Sequence, residues 1–182
     1  MSLPPTCLFL SQRDANGNID LQYVASPKKL NKVDQRGHLA PLHMAAQWTS
    51  AARVQELIAK GAIVDIRSDE HAGCITPLFS AACHCNIGAL DALLLAGADV
   101  AARDSDGRTA LMYVIMAFEK RQHCVACARK LIAAGVPLNA QNDGGATALH
   151  FAIQAESIEL ATLLLEVGID QNLCLINGHT PL

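Results

Sequence analysis

The chain has 182 residues, of which 51% are hydrophobic, and a formal net charge of -3. That apolar content is enough for a packed core and excludes an intrinsically disordered chain. The near balance of 14 basic and 17 acidic residues, with only 4% aromatics, excludes the broad basic field and the stacking platforms that nucleic-acid binding uses.

Residues 1–33 show no clear repeat. Asp14 to Asn18 reads as a turn and Pro27-Lys28-Lys29 as a break, and the segment is expected to cover the exposed end of the first repeating unit. Cys7-Leu8-Phe9-Leu10 is too short for the apolar stretch of a signal peptide. The longest apolar window, Ala110 to Phe118, is about half of what a membrane span needs, so no membrane insertion is expected. The cysteines number 7, an odd count without a disulfide-framework spacing. Reduced thiols in the cytoplasm or nucleus are therefore expected.

From Asp34 onward the chain repeats itself. Leu57-Ile58-Ala59-Lys60-Gly61 recurs as Leu93-Leu94-Leu95-Ala96-Gly97, Leu131-Ile132-Ala133-Ala134-Gly135 and Leu164-Leu165-Glu166-Val167-Gly168, with glycine spacings of 36, 38 and 33. Upstream lie Ala40-Pro41-Leu42-His43, Thr76-Pro77-Leu78-Phe79, Thr109-Ala110-Leu111-Met112 and Thr147-Ala148-Leu149-His150. Each block opens a predicted helix: Thr76 is placed to cap through its hydroxyl, and Pro77 suits a first turn because its missing N–H has no helical partner there. A second helix carries Leu90, Leu93 and Leu94 on one face. Gly97 stops it, since a left-handed residue is cheap only without a Cβ. Asp104-Ser105-Asp106-Gly107 then reads as a turn. A helix pair of this size cannot bury its apolar face alone, so the units must stack.

These motifs resemble the ankyrin repeat, whose pattern is an Asp/Gly turn, Thr-Pro-Leu-His-x-Ala-Ala, a leucine pair and Gly-Ala-Asp. The resemblance implies an all-α ankyrin-repeat solenoid of stacked helix-turn-helix units with projecting β-turns. Its units are 34–67, 68–103, 104–141 and 142–173, with a partial fifth over 174–182 and a possible cap over 1–33. Unit three departs from the pattern: Met112 stands in the His position, Val114-Ile115 replace the small pair, and five extra residues fall near Phe118 to Cys124. An extra residue at His38-Leu39 and one or two around Ala72 to Ile75 lengthen two projecting turns. With only a fragment after the fourth unit, the chain is expected to be a piece of a longer protein.

No phosphate loop or nucleophile motif is present, so no enzyme activity, cofactor or small-molecule substrate is expected. The resemblance implies structural hydrogen bonds for His43 and His150. Acidic residues in or beside turns, such as Asp65 and Asp104, are assigned turn and cap roles. Cys83-His84-Cys85 and His123-Cys124-Val125-Ala126-Cys127 hold thiol and imidazole groups of the kind that bind zinc. Cys-x-Cys is an uncommon spacing, however, and cysteine is an ordinary buried helical residue. Reduced structural thiols are the favoured reading, and no metal site is assigned.

The resemblance further implies binding of a protein through the turns and the concave face of the first helices. The turn positions are Arg36, His38, His71, Asp106 and Arg108. The helical ones are Met44, Gln47, Trp48, His84, Tyr113, Met116, Phe151 and Gln154. Trp48 and Tyr113 are the expected anchors, being of types favoured in binding hot spots; the alternative for Trp48 is packing against the N-terminal segment. The resemblance also makes Asn139 a candidate for asparaginyl hydroxylation, against the plainer role of a hydrogen bond within its turn. Charge is uneven, +3 over residues 1–60 and -6 over 61–182. The expected function is a protein-interaction adaptor or scaffold with a partner of unknown identity. The alternatives are a substrate-recognition subunit of a ubiquitin ligase of the SOCS-box type, whose box is not in this chain, and a regulatory module of a longer enzyme or channel.

Overall fold

A computed structural model describes residues 30–33, 39–117 and 123–181. It contains eight α-helices among the described residues and no strand. They pair along the chain as α1 (Pro41–Trp48) with α2 (Ala51–Ala59), α3 (Pro77–Cys83) with α4 (Ile87–Leu95), α5 (Ala110–Met116) with α6 (Cys124–Ala133), and α7 (Ala148–Gln154) with α8 (Ile158–Glu166). The first helices of the pairs stack in one layer, α1 on α3 on α5 on α7, and the second helices stack in another. One continuous apolar core runs from Leu30 to Ile169.

The inner layer is the more deeply buried. Every residue of α3 is buried, as are Ala110 to Ile115 of α5. The outer helices bury a narrower stripe, Val54 and Leu57 on α2 and Leu160, Leu163 and Leu164 on α8. Val114 and Ile115, larger than the alanine pairs Ala45-Ala46 and Ala81-Ala82 in the corresponding positions, are fully buried. In unit three α5 ends at Met116 and α6 begins only at Cys124, so more residues separate the paired helices there than in the other units.

Caps differ from the expected scheme. Thr76 sits at the N-cap of α3 in extended conformation, but its hydroxyl makes no capping bond and is buried without a partner. The reason lies three residues on. In unit four the Thr147 hydroxyl meets His150 Nδ1 at 3.0 Å, whereas the equivalent of His150 in unit two is Phe79, which offers no polar atom. Side-chain capping is instead found on two outer helices: Asn86 Oδ1 accepts from Ala89 N–H at 3.2 Å, and Ser157 Oγ from Leu160 N–H at 3.4 Å. Gly97 ends α4 with φ +82°, as the glycine stop requires.

Successive turns are joined backbone to backbone. Ser105 N–H donates to Gly73 O at 2.9 Å, Asp143 N–H to Asp106 O at 3.0 Å, and Ile176 N–H to Gly144 O at 3.1 Å. The approach is close enough that a Cβ on Gly107, itself at φ +73°, would lie 2.7 Å from Asp143 Oδ1. The extra residues of the second turn form a 3₁₀ turn over Glu70–Ala72, held by Asp69 Oδ1 accepting from Ala72 N–H at 3.0 Å.

Two side-chain ladders run along the stack with the period of the glycines. Arg67 Nη1 donates to Arg103 O at 2.8 Å, Arg103 Nη1 to Gln141 O at 2.6 Å, and Gln141 Nε2 to Cys174 O at 2.9 Å. Each donor reaches the carbonyl of its own counterpart one unit further on. In the second ladder Asn31 Oδ1 accepts from Ile63 N–H at 2.9 Å, Asp65 Oδ1 from Asp99 N–H at 3.1 Å, and Asn139 Oδ1 from Asp170 N–H at 2.8 Å. At the equivalent positions between units two and three stand Ala101 and Pro137, so side-chain acceptor and backbone donor are missing together. Leu30 and Asn31 hold the first rung and the first core contact, which ties the end of the N-terminal segment to unit one.

Candidate functional site

Eight of the thirteen proposed binding positions lie on or beside the inner helices, and five of them, Gln47, Trp48, His84, Met116 and Gln154, are at or just past the helices' C-terminal ends. Trp48, the last residue of α1, keeps 37% of its surface exposed. Its ring stands edge-on to the His84 ring, with centroids 4.5 Å apart. His84 itself is buried and its Nδ1 lies 3.0 Å from Ser80 O, so the imidazole supports Trp48 more than it offers a contact of its own. Gln47 is also buried, with its Nε2 3.5 Å from Ser80 Oγ. Met44, Met116 and Phe151 are half-buried, and Gln154 is exposed.

Tyr113 corrects the expectation of a second aromatic anchor. It is only 2% exposed. Its ring packs edge-on against Phe79 with centroids 5.2 Å apart, and its hydroxyl donates to Asp104 Oδ2 at 2.8 Å. The Phe79 at the histidine position explains this: a large apolar ring there supplies the surface against which Tyr113 packs. Burial, with the Asp104 carboxylate beside it, pushes the Tyr113 pKa well above the ordinary phenol value.

Asp104 is the centre of this turn. It is buried, and Oδ1 accepts from the N–H groups of Asp106 at 2.9 Å and Arg108 at 2.7 Å. The Arg108 guanidinium pairs with Asp104 at 3.0 Å and also with Asp106, while its Cζ lies 5.7 Å from the centre of the Tyr113 ring. Arg108 is thus committed within its own turn, with 16% of its side chain exposed, while Asp106 keeps 56%. His71, at the tip of the second turn, is 81% exposed. Arg36 and His38 lie outside the described residues, as do residues 118–122 of the unit-three insertion.

The histidines make structural bonds. His43 Nδ1 accepts from Ala40 N–H at 3.2 Å and Nε2 donates to Ile75 O in unit two at 2.9 Å. Burial pulls its pKa down to about 4, so the ring is neutral near pH 7. His150 repeats the arrangement toward His179 O, at a longer 3.4 Å and on an exposed edge. The side chain of Asn139 bonds across to the next unit and not within its own turn.

The cysteines also depart from expectation. Cys85 and Cys124 form a disulfide, with Cα atoms 5.2 Å apart, and Cys83 is disulfide-bonded as well. Cys85, in a left-handed conformation at φ +47°, and Cys124, the first residue of α6, are brought together because units two and three stack with these two helix connections adjacent. Among the described residues no group of three potential ligands is placed to hold a metal. Cys74, Cys127 and Cys174 are free thiols. No described helix is long and apolar enough to cross a membrane.

A family model described as ankyrin repeats (3 copies) matches residues 78–175. Among curated proteins the chain is 34% identical over 159 residues to the chicken (Gallus gallus) nuclear factor NF-kappa-B p105 subunit, a match covering 84% of this chain and 15% of that protein. It is 28% identical over 173 residues to neurogenic locus notch homolog protein 1 of Xenopus tropicalis, covering 94% of this chain and 6% of that protein. The zebrafish (Danio rerio) notch homolog 1 is 26% identical over 174 residues, again with 94% of this chain and 7% of the relative covered. The chain therefore spans a small part of the length of the relatives it matches.

Proposed function

Because this chain belongs to the ankyrin-repeat family, a protein-interaction fold, we propose that it is an adaptor or scaffold module whose protein partner seats on the edge of the inner-helix layer, with Trp48 as its anchor. The observation that carries this reading is the exposure of Trp48 beside a buried, hydrogen-bonded His84. A large amphipathic ring held in place before binding loses little freedom on contact, which is what a hot-spot residue needs. Met44 on the same helix and Met116 on α5 add adaptable apolar surface. The turns contribute His71 and Asp106, whose side chains remain exposed, whereas Tyr113, Gln47 and Arg108 serve the stack. In this proposal the module carries out no catalysis and works in the cytoplasm or nucleus.

The test is affinity for a partner identified by proximity labelling and confirmed with purified components. Trp48→Ala is expected to weaken binding by roughly thirtyfold, about 2 kcal/mol. Glu159→Ala, on the exposed face of α8, is expected to leave binding unchanged. Equal affinity of a folded Trp48→Ala variant and the parent would remove Trp48 as the anchor.

A further inference from the structure

In units two, three and four a non-glycine residue just before the second helix has positive φ: Cys85 at +47°, His123 at +69° and Glu156 at +51°. A non-glycine residue held there is disfavoured, so something must hold it. In unit two that residue is a cysteine bonded to unit three, across 39 residues of sequence. The bond lands on Cys124, at the exit of the one lengthened helix connection, and its other end is adjacent to His84, which packs against Trp48. We propose that Cys85 and Cys124 are a reversible dithiol–disulfide pair that clamps unit two to unit three and sets the geometry of the Trp48–His84 surface.

The chemistry balances with a low-molecular-weight disulfide such as oxidised glutathione as oxidant. One cysteine thiolate attacks the small disulfide and expels one glutathione thiolate, leaving a mixed disulfide. The second cysteine thiolate attacks the protein sulfur of that intermediate and expels the other. Two thiols are oxidised to one disulfide, the small disulfide is reduced to two thiols, and the two protons pass to the glutathione sulfurs. Reduction runs the same steps backward. Cys85 and Cys124 are 4% and 2% exposed, so exchange requires local opening around the pair and is slow. Cys127 sits one helical turn beyond Cys124 and is buried. Burial pushes its pKa up to about 11, so it stays protonated and does not compete as a nucleophile near pH 7.

The use of this pair in regulating binding rests on the proposed function, whereas the linkage is tested without any partner. The full chain is equilibrated with oxidised or reduced glutathione, denatured, alkylated and digested with trypsin. After oxidation the peptide Ser68–Arg103 is expected joined to Gln122–Arg129, and after reduction the two are expected alkylated and separate. The joined species is expected to vanish in Cys124→Ser, although Cys127 remains in the same peptide. Oxidation is expected to raise the melting temperature of the parent on the order of 10 °C, because the link restricts the unfolded chain. It is expected to shift the emission of Trp48, the single tryptophan; in Cys85→Ser, where Cys83 keeps its own bond, the shift is expected to be absent and the rise in melting temperature smaller. Full alkylation of both peptides after oxidation, or a joined species that persists in Cys124→Ser, overturns the pairing. Trp48 emission that ignores the redox state overturns the coupling to the surface.

Discussion

The inner helices are of two kinds, distinguished by one position. In α1 and α7 the third helical residue is a histidine, His43 or His150, which takes the N–H of its own N-cap and reaches a carbonyl of the following unit. In α3 and α5 it is Phe79 or Met112, both fully buried. The outermost inner helices are thus joined to their successors by directional hydrogen bonds, and the middle ones by apolar volume. The middle solution closes the core around Phe79 and Tyr113 but leaves the Thr76 hydroxyl without a partner. The histidine solution gives both ring nitrogens a partner, and at His43 it buries an imidazole whose pKa is pulled down.

Removing the apolar volume is expected to have the largest effect. Phe79→Ala deletes a fully buried ring and the surface Tyr113 rests on, and is expected to cost about 3–5 kcal/mol in urea unfolding. A loss below about 1 kcal/mol would show that the middle helices are not held by this packing.

Acidification probes the other solution. The folded-state pKa of His43 is lowered to about 4 from 6.5, so the unfolded chain binds the proton more readily. Its contribution is complete above pH 6.5 and is lost as pH falls toward 4, by about 3 kcal/mol in all. Unfolding curves at steps across that window are expected to show the slope in the parent and lose most of it in His43→Gln. An unchanged slope in the variant would assign it to other groups.

A smaller effect is expected from Tyr113→Phe. It removes one hydrogen bond to a buried carboxylate that keeps its two backbone N–H donors and Arg108. The expected cost is about 1.5–2 kcal/mol in thermal unfolding, and an effect within error would mean that the hydroxyl bond is replaced. The smallest is Asn139→Ala, which removes one exposed ladder rung. About 0.5–1 kcal/mol is expected, and no measurable change would place the holding force of the turns in their backbone bonds.

The four recurring blocks made the helix pairs legible, because a glycine stop and an apolar pair at constrained spacing leave few other structures. The ladder of Arg67, Arg103 and Gln141 was not legible although its period is that of the glycines, since arginine and glutamine at an exposed turn ordinarily read as solvated. The paired loss of Ala101 and Pro137 carried the same hidden signal. Side-chain accessibility was the least legible property. Trp48, the last residue of α1, and Tyr113, the fourth of α5, were both expected to face the partner, yet one is exposed and the other buried, and at Tyr113 the difference is set by a residue of the neighbouring unit. Phe79 lies 34 residues before Tyr113, and nothing local to Tyr113 announces it.

By itself the sequence determined the all-α repeat, the order of its helices and the places where they stop, because propensity, turn chemistry and apolar period act within a few residues. Only the tertiary structure decided which aromatic is exposed, which histidine stays neutral and which cysteines meet. Those outcomes depend on side chains more than thirty residues apart in the chain, and stacking alone brings them within contact distance.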